Sequence, residues 1–341
     1  MAAANLPSRP GAALRRALRH RLLRVCAVLL LVAAGAGGWW ASSASSASGP
    51  RGRVAFATGV VGGVYDRYGV LLQQYLGQHM PGLRVQLDNS VGSLDNLERV
   101  VAGRDDFAIA TADAVATFDG PGKPRLRAIA RLYDDYMQLV VPADSPVHSV
   151  ADLRGLRVGV GQEKSGVNLV TRRLLEAAGL DPDRDVRSAQ VGVVQAAEGL
   201  QKKDLDAFFW SGGLPTAALS DLSERTPIRI VPMGDLSDPL HQLAGPGMDA
   251  YRAATIPADA YPDVQPERVA VPTVAVPNLL VTRADVDPAL VEALTRAVID
   301  SRDDIGRQVH AAQLVDLRTA VYTDPLPLHV GAERYYLSIK P

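Results

Sequence analysis

The sequence predicts an α/β chain folded as two similar lobes around a cleft, and three observations carry that prediction. At residues 53–65, RVAFATGVVGGVY, an apolar strand runs straight into a glycine-rich turn and then a helix. The same order returns at residues 157–178. Strands and helices alternate through both stretches, the pattern of parallel sheets covered by helices.

In the first stretch, residues 54–58 read as a strand, a glycine loop follows, and a helix covers residues 65–78. A strand at 84–88, a helix opening at Ser93 and a strand at 107–110 come next. In the second stretch a strand at 157–160 leads through a loop at 161–166 to a helix at 168–178. A shorter strand at 188–191, a helix at 195–203 and a strand at 206–210 complete it. The matched order implies two lobes with parallel or mixed sheets of their own and not one continuous sheet. Ligands of such sheets bind at the C-terminal ends of the strands, where both glycine loops lie. Helix N-termini hold unsatisfied N–H groups and the positive end of the helix dipole there, so an anion or polar group can bind without a cationic side chain.

The remaining elements follow from local patterns. Gly92 and Ser93 precede Leu94, Leu97, Val100 and Val101 on one helical face, and Gly103 ends that helix. Ser93 is the N-cap candidate, with Asn96 where a capping box would place Glu or Gln. A loop at 119–124 precedes strand-like segments at 126–132 and 137–141, and the latter, ending at Pro142, crosses into the second lobe. Ser149 and Asp152 give a short capped turn, and a strand at 228–232 carries the chain out again. Residues 235–272, rich in Pro, Ala and Asp, read as a long surface excursion. A strand at 274–283 and a helix at 288–301 return to the first lobe, and Ile305, Val309 and Leu314 form a helical stripe in the tail. The expected division is residues 53–140 and 234–341 for lobe 1 and 141–233 for lobe 2, with hinges near 140–142 and 231–233.

The N-terminus is of a different kind. Residues 1–24 are a basic region, residues 25–40 an apolar run and residues 41–52 a Ser/Ala/Gly linker, with no acidic residue before Asp66. This is the pattern of a signal peptide or a signal anchor. The apolar run is shorter than a usual span of about 20 residues, which favours removal; Trp39 and Trp40 sit where an interfacial belt would hold an uncleaved helix. The expected location is extracytoplasmic, in the cell envelope, by export or by anchoring through residues 25–40. Six arginines lie in this leader, so a chain of net charge −1 leaves an exported part near −7, which argues against a nucleic-acid partner. Cys26 precedes the apolar core of the leader, so it does not fit a lipid-modified cysteine, and a single cysteine excludes an internal disulfide. A hydrophobic content of 47% with 21% charged residues is that of an ordinary globular protein and excludes a disordered chain.

Five segments together resemble the TAXI family, the extracytoplasmic solute receptors of tripartite ATP-independent periplasmic (TRAP) transporters. They are TGVVGGVYDRYG at 58–69, NSVGSLDNLERVVAGRDDFAIATAD at 89–113, LVVPADSPVHSVADLRGLRVGVGQEKSG at 139–166, LDAFFWSGGLPTAAL at 205–219 and VPTVAVPNLLVTRADV at 271–286. The resemblance implies a two-lobed, type II-like periplasmic-binding-protein fold that closes on a small carboxylate or amino acid and hands it to a membrane permease. It also implies site residues. Thr58, Gly59, Gly62, Gly63 and Tyr65 match the first ligand loop, although Gly59 equally suits a bare βα turn. Ser93 and Asn96 match a ligand-facing helix start; an ordinary N-cap and a solvent-facing amide are the alternatives. Thr111 and Asp113 stand where the family more often has Gln-Ser-Asp, and Asp113 also suits an N-cap. Ser165, Gly166 and Asn168 match the second-lobe loop, with Val167 in place of a usual threonine. Gly212, Gly213 and Pro215 follow the strand DAFFW, Pro215 fitting a first helical turn. Trp210 either lines the cleft or fills the core, and packing favours the core. Lys164 and Arg67 are near enough in sequence to neutralise a carboxylate, but charged residues beside loops are mostly solvated.

Other classes fit less well. The turn reads G-V-V-G-G where a dinucleotide fingerprint needs G-x-G-x-x-G, and there is no Walker lysine motif, HExxH, GxSxG or CxxC. His79, His148, His241 and His329 are scattered as surface or loop residues would be, so neither a metal, a cofactor nor catalysis is expected. A sensory module is the remaining alternative: the same lobes, held at the membrane by an uncleaved anchor and signalling to a partner such as a sensor kinase.

Overall fold

The computed structural model describes residues 49–264 and 269–339; the basic region, the apolar run and residues 41–48 of the linker lie outside the described residues. In chain order the elements are β1 (Gly52–Ala57), α1 (Val64–His79), β2 (Leu83–Asp88), α2 (Ser93–Val101), β3 (Phe107–Thr111), α3 (Ala112–Thr117) and β4 (Leu126–Pro142). Then come β5 (Arg157–Gly159), α4 (Gly166–Ala177), β6 (Arg187–Ala189), α5 (Val193–Gln201), β7 (Ala207–Gly212), α6 (Ala217–Ser223) and β8 (Ile228–Val231). The chain ends with α7 (Ser237–Gln242), β9 (Arg252–Ile256), β10 (Val271–Arg283), α8 (Pro288–Asp300), α9 (Arg302–Gly306) and α10 (Val330–Ser338).

The sheet is built from one strand order used twice. In the first half it is β2-β1-β3-β10-β4, with β1 parallel to β2 and β3 and with β10 antiparallel to β3 and β4. In the second half it is β6-β5-β7-β4-β8, again with the first three strands parallel and the fourth antiparallel. The strand β4 therefore serves both halves. Its early residues close the first half against β10, up to Ala275 opposite Tyr136, and its later residues, from Tyr136 opposite Gly212, lie inside the second. This is an α/β fold of two similar halves. The expectation of separate sheets is corrected: the strands form one hydrogen-bonded path, because the segments expected at 126–132 and 137–141 are a single strand of 17 residues. The halves meet at Asp135 to Met137 and around Pro277, where β10 shifts register; residues 140–142 pair with Ile228 to Ile230, and Val231 with Leu139, inside the second half.

Strand alternation gives each half two cores. On β4 and β7, Leu139, Val141 and Phe209 join one cluster while Val140, Phe208 and Trp210 join the other. In the first half, Tyr68, Leu72 and Leu76 of α1 pack with Val291, Leu294 and Val298 of α8 and Tyr335 and Tyr336 of α10. On the opposite face of that half, Leu97 and Val100 of α2 pack against Ala108, Ala110, Leu279 and Val281. The described residues among 235–272 do not form a surface excursion. Leu236, Leu240, Met248 and Tyr251 are buried in the second half's core, Tyr261 and Val264 fill its other face, and β9 pairs with β10. The boundary expected at residue 233 thus falls inside a packed core. In the tail, Ile305 and Val309 are buried while Leu314 is half exposed, so the expected stripe stops one turn early.

Candidate functional site

Between the halves lies a pocket at the C-terminal ends of the parallel strands, lined by the first turns of four helices, two from each half. Gly63, Val64 and Tyr65 come from the cap and first turn of α1, Gly92 and Ser93 from those of α2, Ser165, Gly166 and Val167 from those of α4, and Gly192 is the cap of α5. Asp135 of β4 and Trp210, Ser211 and Gly212 of β7 form its floor. About 50 Å³ of space is open to the centre of a water-sized sphere, a room suited to a small solute.

Each turn is fixed by local chemistry. Gly62 takes φ +80°, which a side chain resists, and its amide donates to Asp66 Oδ2 at 3.3 Å. Asn89 Nδ2 bonds both the Gly59 carbonyl and Asp66 Oδ1, so the loop before α1 is held from two sides. Gly92, at φ +130°, caps α2, and a Cβ there would lie 3.2 Å from Ser165 Cα of the other half. Ser93 is the first helical residue and not the cap: its Oγ accepts from the Thr111 amide at 3.1 Å and tethers α2 to the end of β3. Ser165 is the cap of α4, its Oγ accepting from the Asn168 amide and donating to the Gln162 carbonyl. The amides of Ser93, Gly166 and Val167 are first-turn donors that no carbonyl of their own helix can satisfy. Lys164 ties the two halves together, its carbonyl accepting from the amides of Leu94 and Asp95 and its Nζ pairing with Glu98 at 2.9 Å.

Of the expected site residues, Gly59, Gly63, Tyr65, Ser93, Thr111, Ser165, Gly166 and Gly212 line the pocket. The others stand behind it or apart. Thr58 is buried against the Asp88 carbonyl. Asn96 does not face solvent: it is buried, and its Nδ2 donates to the carbonyls of Thr58 and Ile109, both at 2.7 Å, joining β1 to β3. Asn168 Nδ2 bonds the Val160 carbonyl. Gly213 packs close to Ala311, and Pro215 precedes α6, which is capped by Thr216, so it is not in the helix. Asp113 lies in α3 and accepts from the Tyr251 hydroxyl at 2.6 Å with Arg173 Nη1 3.7 Å away, a buried cluster outside the pocket wall. Arg67 bonds Gln308, and neither it nor Lys164 lines the pocket. Trp210 does both things asked of it, filling a core and lining the pocket, with its Nε1 on Thr216 Oγ1 at 3.0 Å.

The residue that sequence reasoning passed over is Asp135. It is 3% exposed, and its Oδ1 has no hydrogen-bond partner. Burial raises its carboxyl to about 7; Asn278 opposes this, the Asp134 and Asp113 carboxylates add to it, and Tyr65 opposes it. The Tyr65 hydroxyl donates to Asn278 Oδ1, and burial followed by the charge of Asp135 pushes the phenol well up, so it stays a donor. The available signal was an acidic pair, Asp134-Asp135, inside the largely apolar, β-rich stretch from Leu126 to Val141. Among the described residues, no group of three or more His, Cys, Asp and Glu is placed to hold a metal ion.

The family model of the NMT1-like family matches residues 56–337, and the chain belongs to that family. In backbone path the chain is similar to the periplasmic aliphatic sulphonate binding protein SsuA of Escherichia coli, at 15% identity over 86% of this chain and 84% of that one, with a TM-score of 0.42. It is similar to the alkanesulfonate-binding protein SsuA of Xanthomonas axonopodis pv. citri bound to MOPS, at 16% identity over 86% of both chains and a TM-score of 0.49. A putative L-cystine ABC transporter protein of Listeria monocytogenes is similar at 14% identity over 77% of this chain and 98% of that one, with a TM-score of 0.47.

Proposed function

We propose that this member of the NMT1-like family is an extracytoplasmic solute-binding protein, whose halves close on a small carboxylate or amino acid and deliver it to a TRAP-type membrane permease. What supports it most is the convergence of four helix N-termini, two from each half, on one small pocket. Such an arrangement binds an anionic group through backbone donors and dipole ends, and binding that bridges both halves favours the closed form through differential affinity. The TRAP assignment rests on the resemblance of residues 58–286 to TAXI receptors. The role is binding and not catalysis: the pocket offers donors, apolar walls and one carboxyl, a set suited to holding a solute.

Thermal unfolding of the purified protein, scanned against amino acids and small mono- and dicarboxylates, tests this. A solute present at one hundred times its dissociation constant adds about 2.7 kcal/mol, a rise of a few degrees for a chain of this size. The expected result is a selective rise with one chemical class; no rise with any member contradicts the proposal.

A further inference from the structure

The solute's second half can be read from what the pocket lacks. Asp135 is a buried carboxyl in the pocket wall, yet no Lys, Arg or His lines that pocket. Its nearest partners are uncharged. Tyr65 spends its hydroxyl hydrogen on Asn278 Oδ1, leaving Asp135 Oδ1 without a donor, and Ser211 Oγ, in a residue 5% exposed on the same floor, is likewise unpartnered. An ionised carboxylate without a cation in such a place is costly, and a stable fold does not need one there.

We propose that Asp135 selects the solute by a protonated nitrogen: the pocket takes a small zwitterion, its ammonium against Asp135 and its anionic group against the first turns of α2 and α4. Solutes that carry the anionic group alone are rejected. This rests on the solute-binding role proposed above. The pocket lining carries both polarities, since the first-turn amides of Ser93, Gly166 and Val167 present positive dipole ends while Asp135 is the single acidic side chain in the lining. A cation brought by the solute completes the buried pair that the protein leaves open, whereas a carboxylate-only solute binds against a protonated Asp135 and forgoes that pair. With the carboxyl raised to about 7 by burial, the empty pocket holds Asp135 partly protonated near neutrality, and an ammonium draws it to the ionised state.

The test is calorimetric titration of the wild-type full chain with matched pairs that differ only at the nitrogen: alanine and lactate, serine and glycerate, glutamate and 2-hydroxyglutarate. The amine member of any pair that binds should bind at least about thirty-fold more tightly than its hydroxyl counterpart, the cost of leaving one partner of a buried charge pair unpaired. Asp135→Asn should remove most of that preference. Hydroxy acids binding within threefold of their amino acids overturns the role of Asp135 while leaving the pocket a solute site. Binding of neither series overturns the solute-binding role and this inference together. The wild-type comparison decides the matter even if Asp135→Asn fails to fold.

Discussion

At the scale of single residues, Asp135 is where the chain gives up stability. The groups facing it are Tyr65 from α1, Asn278 from β10, Asp134 and Tyr133 on its own strand and the more distant Asp113. Its carboxyl stands at about 7 in the folded protein, chiefly from burial, against about 3.9 in an unfolded chain. Between those values the folded state binds more protons than the unfolded one, so this group's contribution is fully present below about pH 4 and is lost as pH rises through about 7. Replacing it removes that loss. Asp135→Asn is expected to raise stability at pH 8 by roughly 2 kcal/mol and to flatten the decline between pH 5 and 8, measured by urea denaturation at both. Part of the decline should survive through Asp105, raised to about 6 by burial and then by Asp88, with Arg99 opposing. A variant less stable than wild type at pH 8 would contradict this account of Asp135. The residue was hard to see in sequence because its pattern, an acidic pair, breaks a strand on paper; departures of this kind from the apolar pattern concentrate at functional sites.

At the scale of elements, what matters is how α2 and α4 meet. A Cβ on Gly166 would come 2.8 Å from Ser93 Oγ and 3.3 Å from Thr111 Oγ1, and Ser93 cannot swing aside without releasing the Thr111 amide. Gly166→Ala is therefore expected to weaken solute binding by about tenfold or more while changing folding stability by less than about 1 kcal/mol, since alanine suits a helix better than glycine. Titration calorimetry beside thermal unfolding separates the two effects. Unchanged affinity would show that the helix ends do not close on each other during binding. The turns themselves were legible: both glycine loops, and the helix starts of α1 and α4 to within two residues, follow from glycine placement, while the cap at Ser165 was not read from the sequence. Ser93 was misread because a serine before an apolar run suits a cap, and only the tertiary bond to Thr111 shows that Gly92 holds that position.

For the whole molecule, the repeated strand order was visible in the repeated sequence of elements, and the joining of the two halves was not. A strand of 17 residues crossing from one half to the other offers no periodicity that separates it from two shorter strands, and Tyr133 to Tyr136 reads as a polar interruption. Residues 235–272 misled for a related reason: their proline spacing looks like a loop, while Leu240, Met248, Tyr251 and Tyr261 make contacts set by partners far away in sequence. Trp210 reports on the point where everything meets, because it is the one tryptophan among the described residues and it lines the pocket. The most direct measurement is therefore its fluorescence, followed in Trp39→Phe/Trp40→Phe protein during titration with small amino acids and carboxylates. Closure of both halves on a solute predicts a saturable change in Trp210 emission whose midpoint matches the calorimetric affinity. A solute that stabilises the protein while leaving Trp210 emission unchanged would place binding elsewhere and contradict the account.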